Sequence, residues 1–222
     1  MMKIGLGASI VAIAAMIAIS VYGWIHIPAD AMLARHWNAS GIADEFSPRD
    51  HVLIGGPLLA AALSAFFALI PLVEPRRENV KSSAGLLLAG WVGVLALLSL
   101  AYGSVVFAAA NGVDDGFTSD VRFYGLCLLL IVLGNFMAKS RSNYFLGVRT
   151  PWTHSSEHAW SLANRTGGWL FVAVGLASAA AGMAYGSAHG YRVLIAGAVA
   201  AALVSIIVSY LAWLADPERK SG

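Results

Sequence analysis

The sequence predicts an all-α integral membrane protein, a polytopic bundle of about six transmembrane helices. Three observations carry this. Of the 222 residues, 59% are hydrophobic and only 12% are charged, about half the charged share of a soluble domain. The apolar residues gather into blocks of about 20, the length a helix needs to cross a hydrocarbon core of about 30 Å. Asp, Glu, Lys and Arg fall between these blocks rather than inside them. Backbone groups in lipid must be satisfied within their own segment, so helices are the expected form.

The spans read as 4–27, 52–73, 84–110, 123–138, 169–186 and 191–215. The first follows Lys3 as a signal peptide would, but its apolar run is about twice a signal core, so it counts as a helix. Pro57 lies near the first turn of the second span, where proline is tolerated, and Pro71 near its end can kink it. The fourth span is the shortest, and Arg192 sits at the edge of the sixth. Gly182 and Gly186 in the fifth span, and Gly197 and Ala201 in the sixth, have the four-residue spacing that lets helices approach closely. Asn135, beside Gly134, is placed to hydrogen-bond between helices. Trp24, Trp169, Tyr191 and Trp213 fall near span ends, where aromatic rings favour the interface.

Basic residues set the orientation. With the N-terminus inside, ten of the 14 Lys and Arg residues lie on the inner segments and four on the outer ones. The 111–121 loop carries Asp114, Asp115 and Asp120 and no basic residue. Both termini are therefore predicted inside a bacterial inner membrane, with loop 28–51 outside and loop 139–168 inside.

Several functions are disfavoured. A net charge of +2 is too small to argue for direct nucleic-acid binding. The single cysteine, Cys127, excludes an intrachain disulfide. An ion-coupled transporter needs an ionisable group deep in a span, and none is seen. Phosphate-cradling glycine loops and nucleophile elbows are also lacking. The reading is a binding protein, not an enzyme, with membrane lipid around it and no cofactor.

Two loops hold the remaining information. The outer one collects His26, Asp30, His36, Asp44, Glu45, Asp50 and His51 at or near it. That mix can bind a metal, recognise a cationic peptide, or serve as a solvated turn region. The inner one contains Arg149-Thr150-Pro151-Trp152-Thr153. Pro151 biases Thr150 towards extended backbone, and Thr153 is expected to N-cap a short helix with Glu157 near its first turn. Arg149 can grip a carboxylate with both arms, and Trp152 can anchor a partner. The alternative is a loop packed on its own helices, with Trp152 and Trp160 as interface anchors.

His154, Glu157 and His158 match the H-x-x-E-H pattern. On one helix the histidines would share a face beside a general-base Glu157. No third ligand follows, so a zinc-dependent membrane peptidase is a minor alternative and no metal is assigned. Asn38 and Asn164 head glycosylation sequons, which carry no meaning in a bacterial protein.

His36-Trp37-Asn38-Ala39-Ser40-Gly41, after Ile27-Pro28 at a helix end, resembles the signature of a small membrane module of bacterial permease-like proteins. The run Gly134 to Lys139, then Asn143-Tyr144-Phe145-Leu146-Gly147-Val148-Arg149-Thr150-Pro151-Trp152-Thr153, Ser156-Glu157 and Trp160, resembles the hallmark of the SdpI family. The resemblance divides the chain into a two-helix module, 1–75, and a four-helix region, 76–222. It departs at Ala138, where proline is usual, at His154, usually apolar, and at Ala163-Asn164 and Phe46-Ser47-Pro48.

The resemblance implies immunity to, and signalling by, a secreted peptide toxin, the sporulation-delay killing factor. It implies toxin or signal recognition outside through His36, Trp37, Asn38 and Gly41. It also implies capture of a cytoplasmic transcriptional repressor through Asn143, Tyr144, Phe145, Gly147, Arg149, Thr150, Pro151, Trp152, Thr153, Glu157 and Trp160. A small permease or transporter subunit is the other alternative, with the His36 loop lining an entrance.

Overall fold

The computed structural model describes residues 1–219 apart from Ala39 and Asp114. Lys220, counted among the inner basic residues, and Asp114 of the acidic loop therefore lie outside the described residues, as does Ala39 of the outer motif. The elements run α1 (Met2–His26), β1 (Met32–Trp37), β2 (Ala43–Pro48), α2 (Arg49–Val73), α3 (Arg77–Ser82), α4 (Ala84–Asn111), α5 (Asp115–Met137), α6 (Pro151–Ser155), α7 (Glu157–Tyr185) and α8 (Ser187–Ala215). Six of these, α1, α2, α4, α5, α7 and α8, are long and apolar enough to cross a membrane. The chain is a multi-pass helical membrane protein, as its hydropathy pattern predicts. One end of the bundle carries the β1–β2 hairpin and the other carries the 138–156 connection.

Two element boundaries differ from the sequence reading. Helix α5 begins at Asp115 rather than 123, and α7 at Glu157 rather than 169. Intrahelical hydrogen bonding does not stop where hydropathy falls, so each helix runs on through its polar flank. Arg122 and Arg165, outside the spans read from hydropathy, therefore lie within helices, and Arg122 is buried. Pro57 and Pro71 both sit inside the continuous α2.

Packing follows the order α2, α1, α4, α5, α7, α8, with α2 also reaching α4 and α5 reaching α8. Buried polar groups fasten the first three. Ser20 Oγ lies 2.7 Å from the Tyr102 hydroxyl and donates to Leu53 O at 2.8 Å, joining α1, α4 and α2 at one point. Trp91 Nε1 donates to Ser9 Oγ at 2.9 Å between α4 and α1. Such interhelical bonds substitute for the hydrophobic drive that lipid cannot supply.

Between α5 and α7 the backbones nearly touch: a Cβ on Gly134 would lie 2.5 Å from Gly168 O, and one on Gly168 would lie 2.5 Å from Gly134 O. The Gly182 and Gly197 positions are close-packed too, against Phe123 of α5 and Val174 of α7. Gly186 is different: at φ +87° it caps α7 and faces open space.

Candidate functional site

The outer loop is a structured hairpin, which the sequence reading lacked. Strands β1 and β2 pair antiparallel, from Met32↔Pro48 to Trp37↔Ala43, with register irregularities around His36. Asn38 closes the turn. Its Oδ1 accepts from Ser40 N at 2.9 Å and Ile42 N at 3.2 Å, the local side-chain bonding for which Asn suits turns. Gly41 adopts φ +76° and lies so close to Tyr191 that a Cβ would sit 2.4 Å from its ring. That contact seats the hairpin tip on α8.

Trp37 completes the seat. The Arg122 guanidinium of α5 stacks over the Trp37 ring at 4.2 Å, a cation–π contact that places a buried charge on a polarisable face. At the hairpin base Arg49 Nη1 donates to Ile27 O at 2.6 Å, and Trp24 Nε1 donates to Asp50 at 2.9 Å. Across the exposed face run the pairs Arg35–Glu45, 2.8 Å, and His36–Asp44, 2.6 Å. Met32, Ile42 and Phe46 stand exposed beside them. His36, Asp44 and Glu45 of this loop thus pair within the hairpin, while Asp50 pairs at its base with Trp24 and Arg49.

At the other end, the 138–156 connection is held by groups drawn from most of the chain. Glu74, at the end of α2, is 1% exposed. Its carboxylate accepts from Arg76 N and from Tyr144 N, each at 2.9 Å. Arg76 donates to Ser142 Oγ and to His154 O, and its guanidinium lies 5.2 Å from the Tyr144 ring centre. Asn79 Nδ2 donates to Ser142 O at 2.7 Å. Asn143, fully buried, folds its own turn: Oδ1 accepts from Phe145 N at 2.9 Å and Leu146 N at 2.7 Å.

Two long helices supply the rest. Asn164 of α7, 1% exposed, accepts from Val148 N at 2.7 Å and donates to Trp160 O at 3.0 Å. Gly147 passes over it at φ +89°, leaving no room for a Cβ. Trp160 Nε1 donates to Ser140 O at 3.0 Å. Thr150 Oγ1 lies 3.1 Å from Ser209 Oγ of α8. Asp216, just past α8, accepts from Ser156 Oγ.

The cap is Thr150, not Thr153. Thr150 Oγ1 accepts from Thr153 N, and Thr153 Oγ1 accepts from Thr150 N, a reciprocal box around α6 with Pro151 in its first turn. Ser156 separately caps α7, accepting from Ala159 N. Its extended backbone, φ −146°, breaks the helix between His154 and His158. The two histidines therefore sit on different helices, and the zinc alternative loses the single helix face it requires. His154 instead stacks on Tyr144 at 4.6 Å. Among the described residues no three His, Cys, Asp or Glu side chains gather as a metal site.

The sequence-predicted residues thus separate into two sets. Asn143, Thr150, Thr153 and Trp160 are buried, and with Gly147 they shape the connection. Tyr144, Arg149, Pro151 and Glu157 are exposed along its edge, with Phe145 and Trp152 half-buried. Trp152 leans on Tyr210 of α8 at 5.0 Å. Glu74, Arg76, Asn79, Asn164, Ser209 and Asp216 were missed. A polar residue breaking the apolar stripe of a helix, as Asn164 does, is the signal that could have found one of them.

Burial, and then the nearby Arg76 and Arg149 charges, hold the His154 imidazole below its ordinary value of 6.5. Below about pH 6.5 the unfolded chain binds a proton that the folded chain resists, so folded stability falls as pH drops through that value. Asp216 acts lower: the Ser156 hydroxyl, and then the Glu218 backbone, hold its carboxyl below 3.8. Its contribution is present above that value and goes as pH falls through the depressed one. Wild-type protein in detergent is therefore expected to melt lower at pH 5.5 than at 7.5, and His154→Gln to show a smaller difference. Thermal melts at both pH values check this.

Residues 139–210 match the profile of the SdpI/YfhL protein family. An 88-residue stretch is 33% identical to the protein named Immunity protein SdpI of Bacillus subtilis (strain 168), covering 40% of each chain. The chain thus spans less than half the length of that relative in the matched region. No solved structure matches. By fold the protein is a multi-pass membrane protein. Its 139–210 region, which includes the Asn143–Trp160 site, is the part of the chain similar to that family.

Proposed function

We propose that this chain is a membrane immunity protein that protects a bacterial cell from a secreted peptide toxin. The observation that carries the reading is the family match over 139–210, together with the 33% identity to a protein named for immunity. In this reading the hairpin end faces outward and both termini face the cytoplasm, in accord with the bias of basic residues. The hairpin presents apolar Met32, Ile42 and Phe46 beside ionic pairs, a surface suited to an amphipathic peptide. His36, Trp37, Asn38 and Gly41 hold that surface in shape.

At the loop end, Tyr144, Arg149, Pro151 and Glu157 form the edge offered to a cytoplasmic partner, a transcriptional repressor. Asn143, Gly147, Thr150, Thr153 and Trp160 act on that partner only by fixing the edge. Toxin binding would bias the helix packing between two arrangements, and a ligand shifts such an equilibrium only by its differential affinity for them. The protein itself contacts no nucleic acid.

The test is protection. Cells of a strain sensitive to the killing factor, producing this chain, are exposed to the purified peptide while membrane potential and survival are followed. Retained potential is expected, against collapse in vector controls. Equal collapse at verified membrane abundance would reject the immunity reading.

A further inference from the structure

Beneath the 145–150 turn, a groove of about 410 Å³ opens among α4, α5, α7 and α8. Its walls are apolar, formed by Leu86, Leu133, Phe145, Phe171, Ala202 and Ile206. Arg149 stands in its lining at the loop end, the sole charged residue there. The Arg149 side chain is exposed and spends one donor on Tyr144 O, at 2.9 Å. A guanidinium has five donors in a planar fork that matches a phosphate. Among the described residues no carboxylate lies in ion-pair contact with it.

An apolar slot between membrane-spanning helices, closed at the interface by a cation with donors to spare, matches one ligand in both halves. The slot suits an acyl chain, and the cation suits an anionic headgroup lying at the membrane surface. A zwitterionic lipid would fill the slot equally well, but its own cation would offset the charge match. We propose that this groove is a binding site for an anionic phospholipid, with one acyl chain among α4, α5, α7 and α8 and its phosphate on Arg149. The proposal does not depend on the immunity reading.

Native mass spectrometry of the full chain in detergent tests it, with dioleoyl phosphatidylglycerol and dioleoyl phosphatidylcholine added in turn. Phosphatidylglycerol is expected to be retained about tenfold better, since both lipids carry a phosphate but only this one lacks a neighbouring cation, and one basic residue at an anionic headgroup contributes on the order of that factor. Arg149→Gln should reduce its retention to the phosphatidylcholine level, while Arg149→Lys should restore part of it. Ile206→Trp, at a half-exposed position that tolerates bulk, should fill the groove and lower retention of both lipids. Soluble glycerol phosphate should not displace the lipid, because it lacks the chain. Equal retention of the two lipids, selectivity untouched by Arg149→Gln, or retention untouched by Ile206→Trp would overturn the site. Displacement by glycerol phosphate alone would overturn the acyl-chain half of it.

Discussion

Gly147→Ala is expected to destabilise the folded protein by about 3–4 kcal/mol, one of the two largest effects of any single change in the 138–156 connection or its anchors. A non-glycine residue in the left-handed region costs about 1–2 kcal/mol, and Gly147 sits there at φ +89°. The added Cβ would also fall 2.1 Å from Asn164 Oδ1. Asn164 is buried and must then move, which deprives Val148 N of its acceptor and the Asn164 amide of Trp160 O. Leaving a buried polar group without a partner costs about 1–3 kcal/mol. Because both costs run through one contact, Asn164→Ala should cost less in the Gly147→Ala background than alone. Unfolding curves of the two single variants and the double variant measure that coupling; additive losses would show that the contact is not shared.

Glu74→Ala is the second, at about 3–5 kcal/mol, because it leaves the Arg76 and Tyr144 backbone donors without an acceptor, at about 1–3 kcal/mol each. Glu74 ties the end of α2 to the Tyr144 backbone seventy residues away, and its burial makes water a poor substitute. Glu74→Gln keeps one accepting oxygen and should lose clearly less. The connection between α5 and α6 should also open more often in Glu74→Ala. Trypsin in detergent should then cut at Arg141 or Arg149 faster than in wild type, in proportion to the open population. Unchanged cleavage would mean that other anchors, such as Asn79 on Ser142 O, suffice.

How much of this was legible follows from what each signal measures. Six spans could be read because a hydrocarbon core selects length and apolarity along consecutive residues, and nothing else in the sequence imitates that. The early starts of α5 and α7 escaped because hydropathy marks where lipid begins, whereas capping groups such as Ser156 mark where the helix begins. The hairpin escaped because β1, Met-Leu-Ala-Arg-His-Trp, lacks clean alternation, and its register is irregular at His36. Its stability comes from distant partners, Arg122 over Trp37 and Tyr191 against Gly41.

At the loop end the motif residues stood out by resemblance, but their roles did not. Thr150 and Thr153 lie three apart in a box where either hydroxyl is a plausible cap, and only the folded backbone singles out Thr150. Gly134 and Gly168 bring α5 and α7 together, yet they lie in different segments, so no four-residue spacing announces them. Glu74 and Arg76 resemble ordinary interfacial charges until the folded chain buries one and stacks the other.

In the proposed reading the peptide toxin is met on the hairpin face, and crosslinking tests this directly. A photoreactive amino acid at position 42, where Ile42 is 61% exposed, is compared with one at position 144, where Tyr144 is 45% exposed. Intact cells producing each variant are treated with labelled killing factor, irradiated, and analysed for adducts. The expected result is an adduct from position 42 and none from position 144. An adduct from 144 alone, or protection without any adduct from the hairpin, would contradict it.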